Sequence, residues 1–110
     1  MVDDNAEQLS ARLSAIASTQ RLRILSLLST ERLHVSELAR RVGMSRALLY
    51  MHLTKLEEAG FVAGQLELGS DGKAMKYFEA TQFELTISLA SIAAAVGLSP
   101  VDPGAPEREK

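Results

Sequence analysis

"HVSELARRVGMSRALLYMHLTKLEEAGF", residues 34–61, carries two helical repeats only a few residues apart. Val35, Leu38, Ala39 and Val42 recur at three- and four-residue spacing and predict a short helix. Gly43 follows, and glycine readily takes the left-handed conformation that ends a helix. Ser45 is placed to cap a second helix, because its hydroxyl can accept an otherwise unpaired amide of the first turn. Leu49, Leu53 and Leu56 then repeat at i, i+4 and i+7, and Gly60 closes the pattern. With those leucines inward, Arg46, Ala47, Tyr50, Met51, Thr54 and Lys55 share the outward face. Leu48 falls between the two sets, at the core edge or on the outward face. His52 lies on the inner side with Leu49 and Leu56, where a structural role is expected.

Outward from this stretch, Ala6, Leu9, Leu13 and Ile16 predict an amphipathic helix over about 5–17. Ser18 or Thr19 caps a second helix with Leu22, Leu25 and Leu28 as its stripe, widened by Ile24 and Leu27 and closed by Ser29-Thr30. Downstream, Phe61 to Leu68 reads as a strand with Val62, Gly64, Leu66 and Leu68 on one face. "GSDGK", residues 69–73, is turn chemistry with Gly72 free to take positive φ, and Met75 to Phe78 supplies a return strand, so 61–80 is a β-hairpin. Thr81-Gln82-Phe83-Glu84 reads as a capping box opening a helix to about Val96, with Gly97 and Pro100 as stops.

That last helix is apolar all round: Phe83, Ile87 and Ala94 on one face, Leu85, Leu89, Ile92 and Val96 on another, with Glu84 its one charge. At about 21 Å it is too short for a hydrocarbon layer of about 30 Å. A second copy of the chain is the expected cover, with burial inside one monomer as the alternative. The expected interface comprises Leu9, Leu13 and Ile16 of the first helix with Phe83, Ile87, Ala90, Ser91 and Ala94 of the last. Residues 1–97 read as one folded domain and 98–110, including "VDPGAPEREK", as a disordered tail.

The chain has 110 residues, 46% of them hydrophobic and 5% aromatic, which calls for an aliphatic core. It contains no cysteine, so disulfides, thiolate metal sites and cysteine nucleophiles are excluded together. The opening thirty residues lack the pattern of a signal peptide, and no apolar run is long enough to span a membrane; a cytoplasmic location is expected. Net charge is −2, yet residues 20–55 hold seven basic side chains against Glu31 and Glu37, a local balance of +5. With only two histidines and scattered acids, no nucleophile–base set for catalysis can be assembled, and no enzyme is expected.

The order helix, helix, helix–turn–helix, β-hairpin, helix resembles the winged helix–turn–helix regulators of the ArsR/SmtB family. The match runs through "ASTQRLRILSLLS" at 17–29, "HVSELARRVGMSRALLYMHLTKLEEAGFV" at 34–62 and the wing to "GKAMKYFEA", and covers residues 9–96. The resemblance implies a mainly α fold with a small β-hairpin, dimeric through its terminal helices. It also implies a homodimer that binds double-stranded DNA at a near-palindromic operator, with repression as the family default. Physically, a helix fits the major groove, about 12 Å wide, and presents its N-terminal residues to base edges. Arg46 is then the candidate for bidentate contact with guanine, and Ala47 and Met51 for thymine methyls. Tyr50 and Ser45 are candidates for phosphate or base contacts, Thr54 shares their face, and Arg40, Arg41 and Lys55 are candidates for phosphates. Lys73 and Lys76 on the wing are expected at the flanking minor groove or backbone, weakly, because Glu67, Asp71 and Glu79 offset them.

The chain departs from the family where many relatives place a Cys-x-Cys metal site. Aligned by "ERLHVSELA", those positions hold His34 and Ser36. His34 is a weak metal candidate, needing ligands such as Asp3, Asp4 or Glu7 from another subunit, and no cofactor is expected. The signal is therefore expected to be a small apolar molecule, a partner protein, or nothing beyond protein abundance. A winged fold that serves as a protein–protein module is the rival reading.

Overall fold

The computed structural model describes residues 4–99. The tail expected from residue 98 therefore lies, beyond Ser99, outside the described residues. The described residues fall into two compact units, residues 11–85 and the described parts of 1–10 and 86–110. The elements are α1 (Ala6–Ile16), α2 (Thr19–Leu28), β1 (Leu33–His34), α3 (Val35–Val42), α4 (Arg46–Glu58), β2 (Val62–Leu68), β3 (Ala74–Ala80) and α5 (Leu89–Gly97).

In the unit of residues 11–85, the caps fall where side-chain chemistry puts them. The Ser18 hydroxyl accepts from the Arg21 amide at 3.3 Å and opens α2, and the Ser45 hydroxyl accepts from the Leu48 amide at 3.1 Å and opens α4. Gly43 ends α3 at φ 70°, and its amide bonds back to Ala39 and Arg40. A Cβ at Gly43 would meet nothing within 4 Å, so the requirement there is backbone conformation and not space. Ile24, Leu38, Leu49, Leu53, Leu56, Phe61 and Phe78 are the largest fully buried side chains. The predicted inner stripes of α3 and α4 are buried throughout. On α2 the buried set is Ile24, Leu25 and Leu28, while Leu22 is exposed. Leu27 is half-buried against the core, so of the five predicted residues Leu22 alone lies outside it.

The sheet has three strands in the order β1-β3-β2, both pairings antiparallel. Leu33 and His34 pair with Phe78 and Tyr77, an edge strand too short to carry a periodic signal. The predicted hairpin is present, with Val62 opposite Ala80 and Leu68 opposite Ala74, and Gly72 takes φ 82° in the turn. Of the predicted strand face, Val62 is buried, whereas Leu66 and Leu68 are 69% and 78% exposed because the hairpin extends past the core.

The helix expected from the Thr81 capping box does not form there. The Thr81 hydroxyl instead donates to the Gly60 carbonyl at 2.7 Å, and its amide donates to the Phe61 carbonyl at 2.9 Å. The Phe83 ring meets Phe61 at a centroid distance of 4.4 Å, and Leu85 packs against the core. These tertiary contacts outweigh a local cap and hold residues 81–87 out of a helix. Phe83 and Ile87 are thus in a non-helical segment and not on a helical stripe.

In the other unit, α5 begins at Ser88, whose hydroxyl accepts from the Ser91 amide at 3.0 Å, while the Ser91 hydroxyl accepts from the Ser88 amide at 2.9 Å. The Ala6 amide donates to the Ser99 hydroxyl at 2.9 Å, and that hydroxyl donates to the Ala95 carbonyl at 3.2 Å. Ala95 is buried; Leu89, Ile92 and Val96 are exposed. Among the described residues, no helix is long and apolar enough to cross a membrane.

His52 is half-buried, and its role is structural: Nδ1 accepts from Arg21 Nε at 3.1 Å, while Arg21 Nη1 donates to the Ser14 and Ala15 carbonyls. One guanidinium thus ties the end of α1 to α4. Burial, then the charges of Arg21 and Lys55, lower the His52 pKa from its ordinary 6.5.

Leu53→Ala should cost about 2–5 kcal/mol in denaturant unfolding, through lost burial and a residual cavity. Gly43→Ala should cost about 1–2 kcal/mol, through backbone strain alone. The folded state favours neutral His52, so the unfolded chain takes up a proton first as pH falls below 6.5. The stabilisation is complete above that value and is lost as pH drops toward the lower folded pKa. Melting measured at about pH 7.5 and about pH 5.5 should therefore show a larger fall for the native protein than for His52→Gln, which keeps an acceptor but does not titrate.

Candidate nucleic-acid interface

α3, the Gly43 turn and α4 form a helix–turn–helix, and the β2–β3 hairpin follows as a wing. Because Leu49, Leu53 and Leu56 are sunk in the core, the opposite face of α4 is fixed outward. Ser45, Arg46, Ala47, Tyr50, Met51, Thr54 and Lys55 are all exposed, and so is Leu48. The structure brings these sequence-predicted residues together on one surface.

Their electrostatic settings differ. Arg46 Nη1 donates to the Ser36 hydroxyl at 2.9 Å, and no carboxylate pairs with Arg46 among the described residues. Arg40 and Arg41 both bond to Glu37: Arg40 Nε at 3.1 Å, Arg41 Nε at 2.8 Å, with a further bond from Arg40 Nη2. Arg41 also lies 3.6 Å from Glu31. Hydrogen bonds from Arg40 and Arg41 lower the Glu37 pKa to about 2, so its carboxylate stays charged across the physiological range. The pair therefore brings less net positive charge than two free arginines. The i, i+3 and i, i+4 spacing of Glu37 with Arg40 and Arg41 is the signal from which this pairing could have been read.

The wing is joined to the rest through aromatic rings. Tyr50 of α4 meets Phe78 edge-on at 6.4 Å, and Lys76 Nζ sits 5.4 Å from the same ring centre. Gly64 lies under Phe78; a Cβ there would come within 2.8 Å of both the ring and the Lys76 side chain. Arg32 pairs with Glu67 through both guanidinium ends and stacks 4.5 Å over Tyr77. Arg32 thereby fastens β2 to the segment before β1, a role the sequence did not reveal because Glu67 is thirty-five positions away. Lys73 is exposed on the turn, where its amide donates to Asp71 Oδ1 at 3.0 Å.

His34 is the N-cap of α3. Its Nδ1 accepts from the Ser36 amide at 3.2 Å, and its ring meets Tyr77 edge-on at 5.6 Å. A metal at Nδ1 would have to displace the Ser36 amide from it. Among the described residues, no three or more His, Cys, Asp or Glu side chains are grouped to hold a metal.

The model of bacterial regulatory proteins of the arsR family matches residues 18–63, from the cap of α2 into the first wing strand. An HTH-type transcriptional regulator of Methanocaldococcus jannaschii is 33% identical over 73 residues, spanning 66% of this chain and 76% of that protein. The chain belongs to the ArsR family. This ArsR-family chain is also similar to the crystal structure of NolR from Sinorhizobium fredii, with a TM-score of 0.59 and 29% identity over 84% of this chain and 82% of NolR. It shares the fold of a homodimeric winged helix–turn–helix DNA-binding domain from Mycobacterium bovis, with a TM-score of 0.61 and 24% identity over 84% of this chain and 74% of that one. It is accordingly a transcriptional regulator built on an ArsR-family winged helix–turn–helix DNA-binding domain.

Glu37→Gln removes the carboxylate shared by Arg40 and Arg41. Affinity for non-specific duplex should rise about two- to tenfold at low salt, and the fall of log affinity with log salt should steepen. An unchanged slope in a salt titration would show that neither arginine reaches phosphate.

Proposed function

We propose that the protein is a homodimeric, sequence-specific regulator of transcription, by default a repressor, that reads a near-palindromic operator with α4. The observation that carries this reading is the two-sided character of α4, leucines in the core and seven polar, basic or groove-compatible side chains outward from Ser45 to Lys55. Arg46 stands at the helix start with no carboxylate paired to it among the described residues, which suits a bidentate contact with guanine O6 and N7. Ala47 and Met51 suit thymine methyls, and Tyr50, Ser45 and Thr54 suit hydrogen bonds to bases or phosphates. Lys55 is exposed for phosphate, and Arg40 and Arg41, whose guanidinium groups keep donors not used on Glu37, suit phosphate with part of their charge already matched. Lys73 and Lys76 are assigned to the flanking groove or backbone.

The exposed Leu89, Ile92 and Val96 of α5 support pairing of two copies through α1 and α5, as does the homodimeric state of the Mycobacterium bovis domain. Leu9, Leu13, Ile16, Ala90, Ser91 and Ala94 belong to that proposed interface, with Phe83 and Ile87 joining it from the segment before α5. Pairing of this kind sets two recognition helices about 34 Å apart, one helical turn of DNA. The signal is assigned to an effector or partner other than a thiolate-bound metal, since cysteine is absent.

Selection of bound fragments from random duplex DNA, with and without divalent metals, tests this reading. Inverted half-sites spaced by about 10–11 base pairs are expected, with a dimer by sedimentation at micromolar concentration. Arg46→Ala should weaken operator binding by about 1–3 kcal/mol and flatten preference at one base pair per half-site, with a smaller loss on non-specific duplex from the removed charge. No selected sequence and no salt dependence would instead identify the fold as a protein–protein module.

A further inference from the structure

We infer that Ser36 is a specificity-determining positioning residue, which aims the Arg46 guanidinium at its base without neutralising it. The inference rests on the base-reading role proposed for Arg46. An arginine side chain has many rotamers, and a reading contact made from a disordered one first has to freeze them. Here the freezing is done in advance. The Ser36 hydroxyl accepts from Arg46 Nη1 at 2.9 Å across the turn between α3 and α4. Ser36 is itself held firmly: it is half-buried, its amide donates to His34 Nδ1 at 3.2 Å, and its neighbours Val35 and Leu38 are buried in the core.

The chemistry of the acceptor matters as much as its place. Arg40 and Arg41 are oriented by a carboxylate, which cancels part of the charge that would attract DNA. A hydroxyl orients Arg46 through the same kind of donor yet leaves its full positive charge. Guanidinium has five N–H donors in one plane. Tethering at Nη1 leaves the Nε and Nη2 edge with two parallel donors, the number a bidentate contact with guanine needs.

The test compares Ser36→Ala, Ser36→Thr and Arg46→Ala in the full chain, each assayed against the selected operator, every single-base variant of it, and non-specific duplex. Alanine is a better helix former than serine, so Ser36→Ala should fold, which a thermal melt checks. Ser36→Ala should lower discrimination about two- to tenfold at the same base pair where Arg46→Ala abolishes it. Other positions, non-specific affinity and the salt slope should not change, and Ser36→Thr should restore discrimination. If Arg46→Ala flattens that base pair while Ser36→Ala matches the native profile, Ser36 does not position the guanidinium. If Arg46→Ala leaves every base preference intact, the base-reading role of Arg46 fails, and this inference falls with it.

Discussion

The leucine stripe of α4 is the constraint on which the rest depends. Leu49, Leu53 and Leu56 are each essentially without solvent access, and a helix has only one angular setting that satisfies all three. That setting determines which residues remain outside. The exposed row from Arg46 to Lys55 is thus a consequence of core packing, and it would keep its direction whatever those side chains were. Rotating the helix to change what it presents would drag three buried leucines toward water, at about 1.5–3 kcal/mol for each one fully exposed. In such a design the scaffold is insensitive to the exposed residues, which are then at liberty to specialise.

Charge is handled by a comparable division. The middle of the chain is basic in sequence, yet much of that charge is internally matched: Glu37 holds Arg40 and Arg41, and Glu67 holds Arg32. All these pairs are at least partly solvent-exposed, so their worth to stability is small. What they alter is the field. A local balance counted along the sequence overstates the potential an approaching polyanion meets, and the cations left uncancelled by carboxylates weigh more than the total.

The helix–turn–helix was legible because its signals are local. Ser45, Gly43 and two leucine-class stripes lie within twenty-five residues of one another, and each acts through neighbours three or four positions away. The hairpin was legible for the same reason, through "GSDGK". What escaped was decided at long range. β1 is two residues long and exists because β3 lies beside it. Thr81 and Glu84 have the spacing of a capping box, but Gly60 and Phe61, twenty positions upstream, claim Thr81 first. The start of α5 therefore shifted to Ser88, whose pairing with Ser91 uses two serines where the familiar signature has an acidic or amide partner. The outward face was also readable from periodicity, whereas the Ser36 contact to Arg46 and the Glu67 contact to Arg32 needed the folded chain.

The ring of Phe78 leaves a mechanical signature on the molecule. Gly64 beneath it, Tyr50 at its edge and the Lys76 ammonium near its face make the hairpin and α4 meet at one buried ring. A displacement of α4 at Tyr50 presses on this ring, and through it on the pairing of β3 with β2.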